Sequence, residues 1–119
     1  MPQLRPMAWL VREGGDVLAS AEVARGVWER TQGLLGRHVA EDVVGALVLR
    51  PCRQIHTIGM RFPIDVAFCD RHGVVLRTLT VVPWRVTRVV WRAGFVVEAA
   101  AGAFDRWQLR AGDTVEVKE

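Results

Sequence analysis

Hydrophobic positions change period several times along this 119-residue chain, and each change predicts an element. Ala8 to Val11 is a short apolar run that meets Glu13-Gly14-Gly15-Asp16, a strong turn signal. Val17, Ala19, Ala21 and Val23 then share one parity, which predicts the return strand of a hairpin. At Val27 the period lengthens. Val27, Thr31, Leu34 and Leu35 fall on one face of an amphipathic helix over 27–35. Glu29 near its start and Arg37 and His38 near its end suit the helix dipole, and Gly36 suits its stop. Gly33 weakens that helix by roughly 1 kcal/mol relative to alanine.

Strand patterning resumes at Ala46 to Leu49 and stops at Pro51. Cys52 to Ile58 reads as extended, and Gly59 and Pro63 bracket an irregular stretch. Ile64 to Cys69 is the clearest strand, with Ile64, Val66 and Phe68 on one face and Asp65, Ala67 and Cys69 on the other. Asp70-Arg71-His72-Gly73 predicts a hairpin turn and Val74 to Val82 the returning strand. Pro83-Trp84-Arg85 breaks it, and Val86 to Arg92 carries no clear period. Phe95 to Ala101 reads as a strand in which Val97 alternates with Glu98, ended by Gly102. Phe104 to Leu109 predicts one or two helical turns, and Thr114 to Lys118 a last strand. The expected fold is α+β and mostly antiparallel β: a compact barrel-like or rolled sheet with one main α-helix packed on it. Length predicts a single domain over residues 1–119.

Half of the residues are apolar, which excludes a disordered chain. Net charge is only +3, but its placement is uneven. Eight arginines (50, 53, 61, 71, 77, 85, 88, 92) lie between Arg50 and Arg92, against two acids, Asp65 and Asp70. Such a segment can meet an anionic partner, or its stems can cover apolar strand surface with their heads in water. Nothing resembles a nucleic-acid motif, and the net charge is too small to argue for nucleic acid. No apolar run approaches the ~20 residues of a membrane span, and no signal peptide is evident. The expectation is a cytoplasmic protein in which Cys52 and Cys69 are free thiols, a 52–69 disulfide being the less favoured alternative.

Side chains able to do chemistry concentrate in Pro51–Asp70. Cys52, His56 and Met60 are four apart, a soft set that would suit Cu(I), but no familiar Cys/His spacing completes it. Cysteine and methionine more often fill cores, so no metal or cofactor is assigned. His56 and Asp65 could pair, with Cys52 as a nucleophile beside them. Alternatively Asp65 caps the bend at Pro63 and bonds backbone N–H groups or Arg61 while His56 is a satisfied, partly buried side chain, or Asp65 faces water. Arg61, Trp84 and Arg85 suggest a third arrangement. If the Pro83–Arg85 turn sits beside the Gly59–Pro63 bend, guanidinium forks and an indole plate frame an anion-accepting surface, or an Arg–Trp pair simply locks the loops.

Several stretches in order resemble the family called domain of unknown function 192. They are Arg30 to Arg37 with Gly45-Ala46-Leu47, Ile55-His56-Thr57 with Gly59-Met60-Arg61, and Pro63-Ile64-Asp65-Val66 to Asp70. Pro83-Trp84-Arg85, Glu98 with Ala101-Gly102, and Leu109 with Gly112-Asp113 follow. The likeness covers roughly residues 21–117, in the branch with His-Thr and Met-Arg at 56–57 and 60–61, and it implies a compact β-rich fold with a helix. The family name implies no activity. The expected function is a binding or interaction module for a small anionic ligand or an acidic partner. Its site comprises Cys52, His56, Thr57, Met60, Arg61, Asp65, Trp84 and Arg85. The rivals are a small enzyme using His56, Asp65 and Cys52, or a structural component of an assembly.

Overall fold

A computed structural model describes residues 7–25 and 45–119. Among them the elements run β1 (Met7–Arg12), β2 (Val17–Arg25), β3 (Ala46–Arg50), β4 (Ile64–Cys69), β5 (Val75–Val81), β6 (Phe95–Ala100), α1 (Ala103–Trp107) and β7 (Val115–Lys118). Both predicted hairpins form. The 13–16 turn is held by Arg12 N donating to Asp16 O at 2.8 Å and Gly15 N to Arg12 O at 3.0 Å. In the second turn the Asp70 carboxylate accepts from His72 N at 2.9 Å and Val74 N at 3.0 Å. The bond from Val74 is the main reason that carboxyl sits below its usual range.

The strands make one sheet in the order β5-β4-β6-β3-β2-β1-β7. Pairing is antiparallel except between β2 and β3, which run parallel. A parallel pair needs a crossover of about a dozen residues or more, and residues 26–45 separate these two strands. The helix expected over 27–35 falls in that segment, outside the described residues. The described helix is instead the short α1, where one or two turns were expected. No helix among the described residues is long and apolar enough to cross a membrane.

The sheet curls into a half-barrel whose outermost strands touch at one end. There Val75 N donates to Asp113 O at 2.8 Å, Gly112 N to Val75 O at 2.8 Å and Val115 N to Gly73 O at 2.9 Å. Gly73 has φ +90°, and a Cβ on it would stand 2.1 Å from Val115 O. Only glycine allows both the turn and the approach.

Curling buries both faces of the middle strands. Ala8, Leu10, Ala21, Val48, Ala67, Val97 and Phe104 belong to an inner core. Ala24, Leu47, Leu49, Ile64, Val66, Phe68 and Val96 belong to an outer one. The outer core is covered by two irregular arms, residues 51–60 and 82–94, through Cys52, Ile55, Met60, Val90 and Ala93. Cys52 to Ile58, expected to be extended, is irregular apart from a bridge at His56, and its partner is the stretch near Val86. All six residues of β4 are buried because β5 and β6 flank it and both its faces are covered. Solvent exposure of Asp65, one of the expected alternatives, is therefore corrected: it is 4% exposed.

The buried Asp65 is fully engaged. Its Oδ1 accepts from Thr80 Oγ1 at 2.7 Å. Its Oδ2 accepts from Gly102 N at 3.0 Å and Phe104 N at 3.1 Å. The donors at the start of α1 have no intrahelical acceptor, and no side chain within α1's own N-cap supplies one. Asp65 thus caps the helix from β4 and ties it to β5. Asp65→Ala, measured by urea denaturation, is expected to cost about 3 kcal/mol, because two buried N–H groups lose their acceptor. Gly73→Ala is expected to cost about 2–4 kcal/mol in the same assay, since the backbone must move where the strands meet.

Candidate functional site

Thr57 joins the two arms. It is 0% exposed, and every polar group it carries is used. Its N–H donates to Arg85 O at 2.8 Å, and its carbonyl accepts from Trp84 N at 2.9 Å and Met60 N at 3.1 Å. Its hydroxyl donates to Val82 O at 2.7 Å and accepts from Arg85 N at 3.0 Å. The expected juxtaposition of the Pro83–Arg85 turn with the Gly59–Pro63 bend is therefore present, made by a buried threonine rather than by Arg61. Further along, Thr87 N donates to Ile55 O at 3.0 Å, Val90 N to Arg53 O at 2.8 Å and Cys52 N to Gly94 O at 3.3 Å.

This lacing displays Trp84. Its φ is +64°, a left-handed backbone that costs a bulky residue about 1–2 kcal/mol. The bonds from Trp84 N and Arg85 N to Thr57 hold the turn in that state. The indole is 64% exposed, so the strain is not offset by burial of the ring. Arg85 and Arg61 are also exposed, and Arg85 Nη1 reaches Trp84 O at 3.4 Å.

The remaining predicted site residues scatter by chemistry. Met60 and Cys52 lie in the outer core, and the Cys52 thiol donates to Gln54 O at 3.1 Å. Half-buried His56 accepts from Ile58 N through Nδ1 at 3.3 Å. No hydrogen bond joins it to Asp65, whose oxygens serve Thr80 and α1. The Cys52–His56–Asp65 set is not assembled as a hydrogen-bonded chain, because Asp65 is needed at the helix. Neither cysteine is in a disulfide. Burial pushes the Cys69 thiol up to about 12, with the Asp70 charge adding to the effect.

Sequence reasoning missed one ionisable group. Glu98 alternates with Val97 in the sequence, and that pattern alone assigns it no role. It is 1% exposed, paired between Leu47 of β3 and Val66 of β4. Its Oε1 has no hydrogen-bond partner among the described residues, and burial raises its pKa to about 8. Glu22, also buried, lies opposite Leu47 on the other side. The available signal was the run Phe95 to Ala101: a near-continuous apolar stretch marks a strand buried on both faces, so an acid inside it is buried too.

The DUF192 family model, described as an uncharacterised ACR, matches residues 10–117. No curated protein matches the chain. Two solved structures share its fold. One, from Sinorhizobium meliloti 1021, is provisionally described as a transcription regulator; it is 18% identical, with a TM-score of 0.74 over 98% of each chain. The other, a protein of unknown function from Novosphingobium aromaticivorans DSM 12444, is 19% identical, with a TM-score of 0.72 over 98% of this chain and 92% of that one.

Glu98 makes stability depend on pH in a defined direction. Its folded pKa of about 8 lies above the ordinary 4.5. Between those values the folded chain holds the extra proton, so the stabilisation is complete below 4.5 and drains away as pH rises through 8. Denaturation series at acidic, neutral and alkaline pH should show a fall of a few kcal/mol for wild type and a flatter profile for Glu98→Gln. Thr57→Val should cost about 2–3 kcal/mol by urea denaturation, since it strands the Arg85 N–H and the Val82 carbonyl. Cys69 should resist iodoacetamide in the folded protein and react only after denaturation, as mass spectrometry of the labelled chain would record.

Proposed function

This chain belongs to the DUF192 family of uncharacterised proteins, and we propose that it acts as an interaction module whose laced arms bind an acidic partner segment. The observation that carries the reading is a run of exposed arginines that form no ion pair among the described residues. Of the eight arginines from Arg50 to Arg92, all but Arg50 are exposed. None is within ion-pair distance of a carboxylate among the described residues. The two acids of that stretch are occupied, Asp65 by Thr80 and α1, Asp70 by its own turn.

Apolar exposure coincides with the charge. Ile58, Val82, Trp84, Val86 and Trp91 are exposed on the arms, Trp91 at 76%. Aromatic and arginine side chains are the residues that anchor protein interfaces. An acidic segment carrying a few apolar residues meets both properties, its carboxylates on Arg61 and Arg85 and its apolar groups on Trp84. Thr57 would contribute by holding the turn, and His56, with no partner on Nε2 among the described residues, by offering a polar rim. The provisional description of the Sinorhizobium neighbour brings DNA in as a competing polyanion, so the test includes it.

Fluorescence anisotropy of a labelled peptide of alternating Glu and Leu provides that test. Binding should weaken steeply between about 50 and 300 mM salt, as charge pairing at an exposed surface requires. Trp84→Ala and Arg85→Glu should each weaken it roughly tenfold without shifting the unfolding midpoint. Equal affinity of the Arg85→Glu variant, or tighter binding of duplex DNA than of peptide, would overturn the reading.

A further inference from the structure

We infer a second, separate ligand site: a cleft between the edge strand β5 and the 82–94 arm that takes a small aryl carboxylate. Phe68, Arg77, Leu79, Thr87, Arg88 and Val90 line it, and its volume is about 190 Å³. Arg77 and Leu79 stand opposite Phe68 and Val66 across the β4–β5 ladder, so both point to the outer face of the sheet. Arg88 approaches from the arm, on the other side of the cleft. The floor is apolar: Phe68 is buried in the outer core, and Leu79 and Val90 pack against that core while remaining partly open.

The polar groups of this cleft are selective in kind. The Thr87 hydroxyl is spent within the arms, accepting from Ile55 N at 3.1 Å and facing Ile55 O at 3.3 Å. That leaves two guanidinium groups, from two different elements, with no acid in the lining and no ion-pair partner among the described residues. Two positive forks above an apolar floor fit an oxyanion joined to an apolar body. Size narrows the class. A cavity of about 150 Å³ admits one benzene ring, so this cleft accommodates a ring with a carboxylate. It is smaller than the roughly 300 Å³ at which drug-sized pockets begin, and a nucleotide would not fit. Inorganic phosphate would satisfy the arginines and leave the floor in water.

Backbone amide NMR titration with benzoate, inorganic phosphate and acetate, on the full chain, tests the site. The expected result is saturable shifts from benzoate centred on Arg77, Leu79 and residues 87–90, with phosphate and acetate at least about tenfold weaker. Arg77→Ala and Arg88→Ala should each weaken benzoate about tenfold, while Arg85→Glu, which removes the acidic-peptide contact, should leave it unchanged. No saturable benzoate shift, shifts centred on Trp84, or equal affinity for phosphate would overturn the inference. The ligand comparison on wild type stands even if an arginine variant fails to fold.

Discussion

A curled sheet this small has more apolar face than its own curvature can enclose, and one buried threonine provides the remedy. The inner face closes on itself where β5 and β7 touch near Gly73. The outer face, with Leu47, Leu49, Ile64, Val66 and Phe68, has to be covered by segments without regular structure. Irregular backbone over a core is costly unless its polar groups find partners. Residues 51–60 and 82–94 solve this by bonding to one another, and Thr57 supplies the most bonds at the point where they turn. Remove that hydroxyl and the outer core loses the fastening of its cover.

Two buried carboxyls show how differently a fold can treat the same group. Asp65 replaces water with three donors and in doing so attaches α1 to the sheet. Glu98 sits in the middle of the sheet with one oxygen unpartnered among the described residues, and burial favours its protonated form. The first carboxyl supports the fold through the three hydrogen bonds it accepts. The second is tolerated only by holding a proton, which makes the centre of the sheet the pH-sensitive part of the molecule.

Function in this reading follows from the cover rather than from the sheet. The arms carry Arg53, Arg85, Arg88 and Arg92, the strained and exposed Trp84, and one wall of the Arg77–Arg88 cleft. Because internal structure consumes Asp65 and Asp70, the positive charge of the arms is left for something outside the chain. Both proposed sites depend on this, one on an open surface and one in a recess. They share a covering element, but the contacts named for each fall on different side chains: Arg61, Trp84 and Arg85 for the surface, Arg77 and Arg88 for the cleft.

Alternation and turn chemistry are local properties, and they were enough to read the two hairpins, the strand at Ala46, the short helix and the last strand from residues alone. The ordered motifs were enough for the family. The irregularity between Gly59 and Pro63 and at Pro83–Arg85 was legible too, since glycine and proline there interrupt regular strands. Burial was not. Parity can say that Asp65 and Glu98 lie on a given face, but whether that face meets water depends on which strands flank it and what covers it. The strand order β5-β4-β6-β3 puts both acids inside, and contacts between residues distant in the chain set that order. For the same reason a His56–Asp65 pair was plausible on paper and absent in space: Gly102 and Phe104 claim the carboxylate from nearly forty residues away.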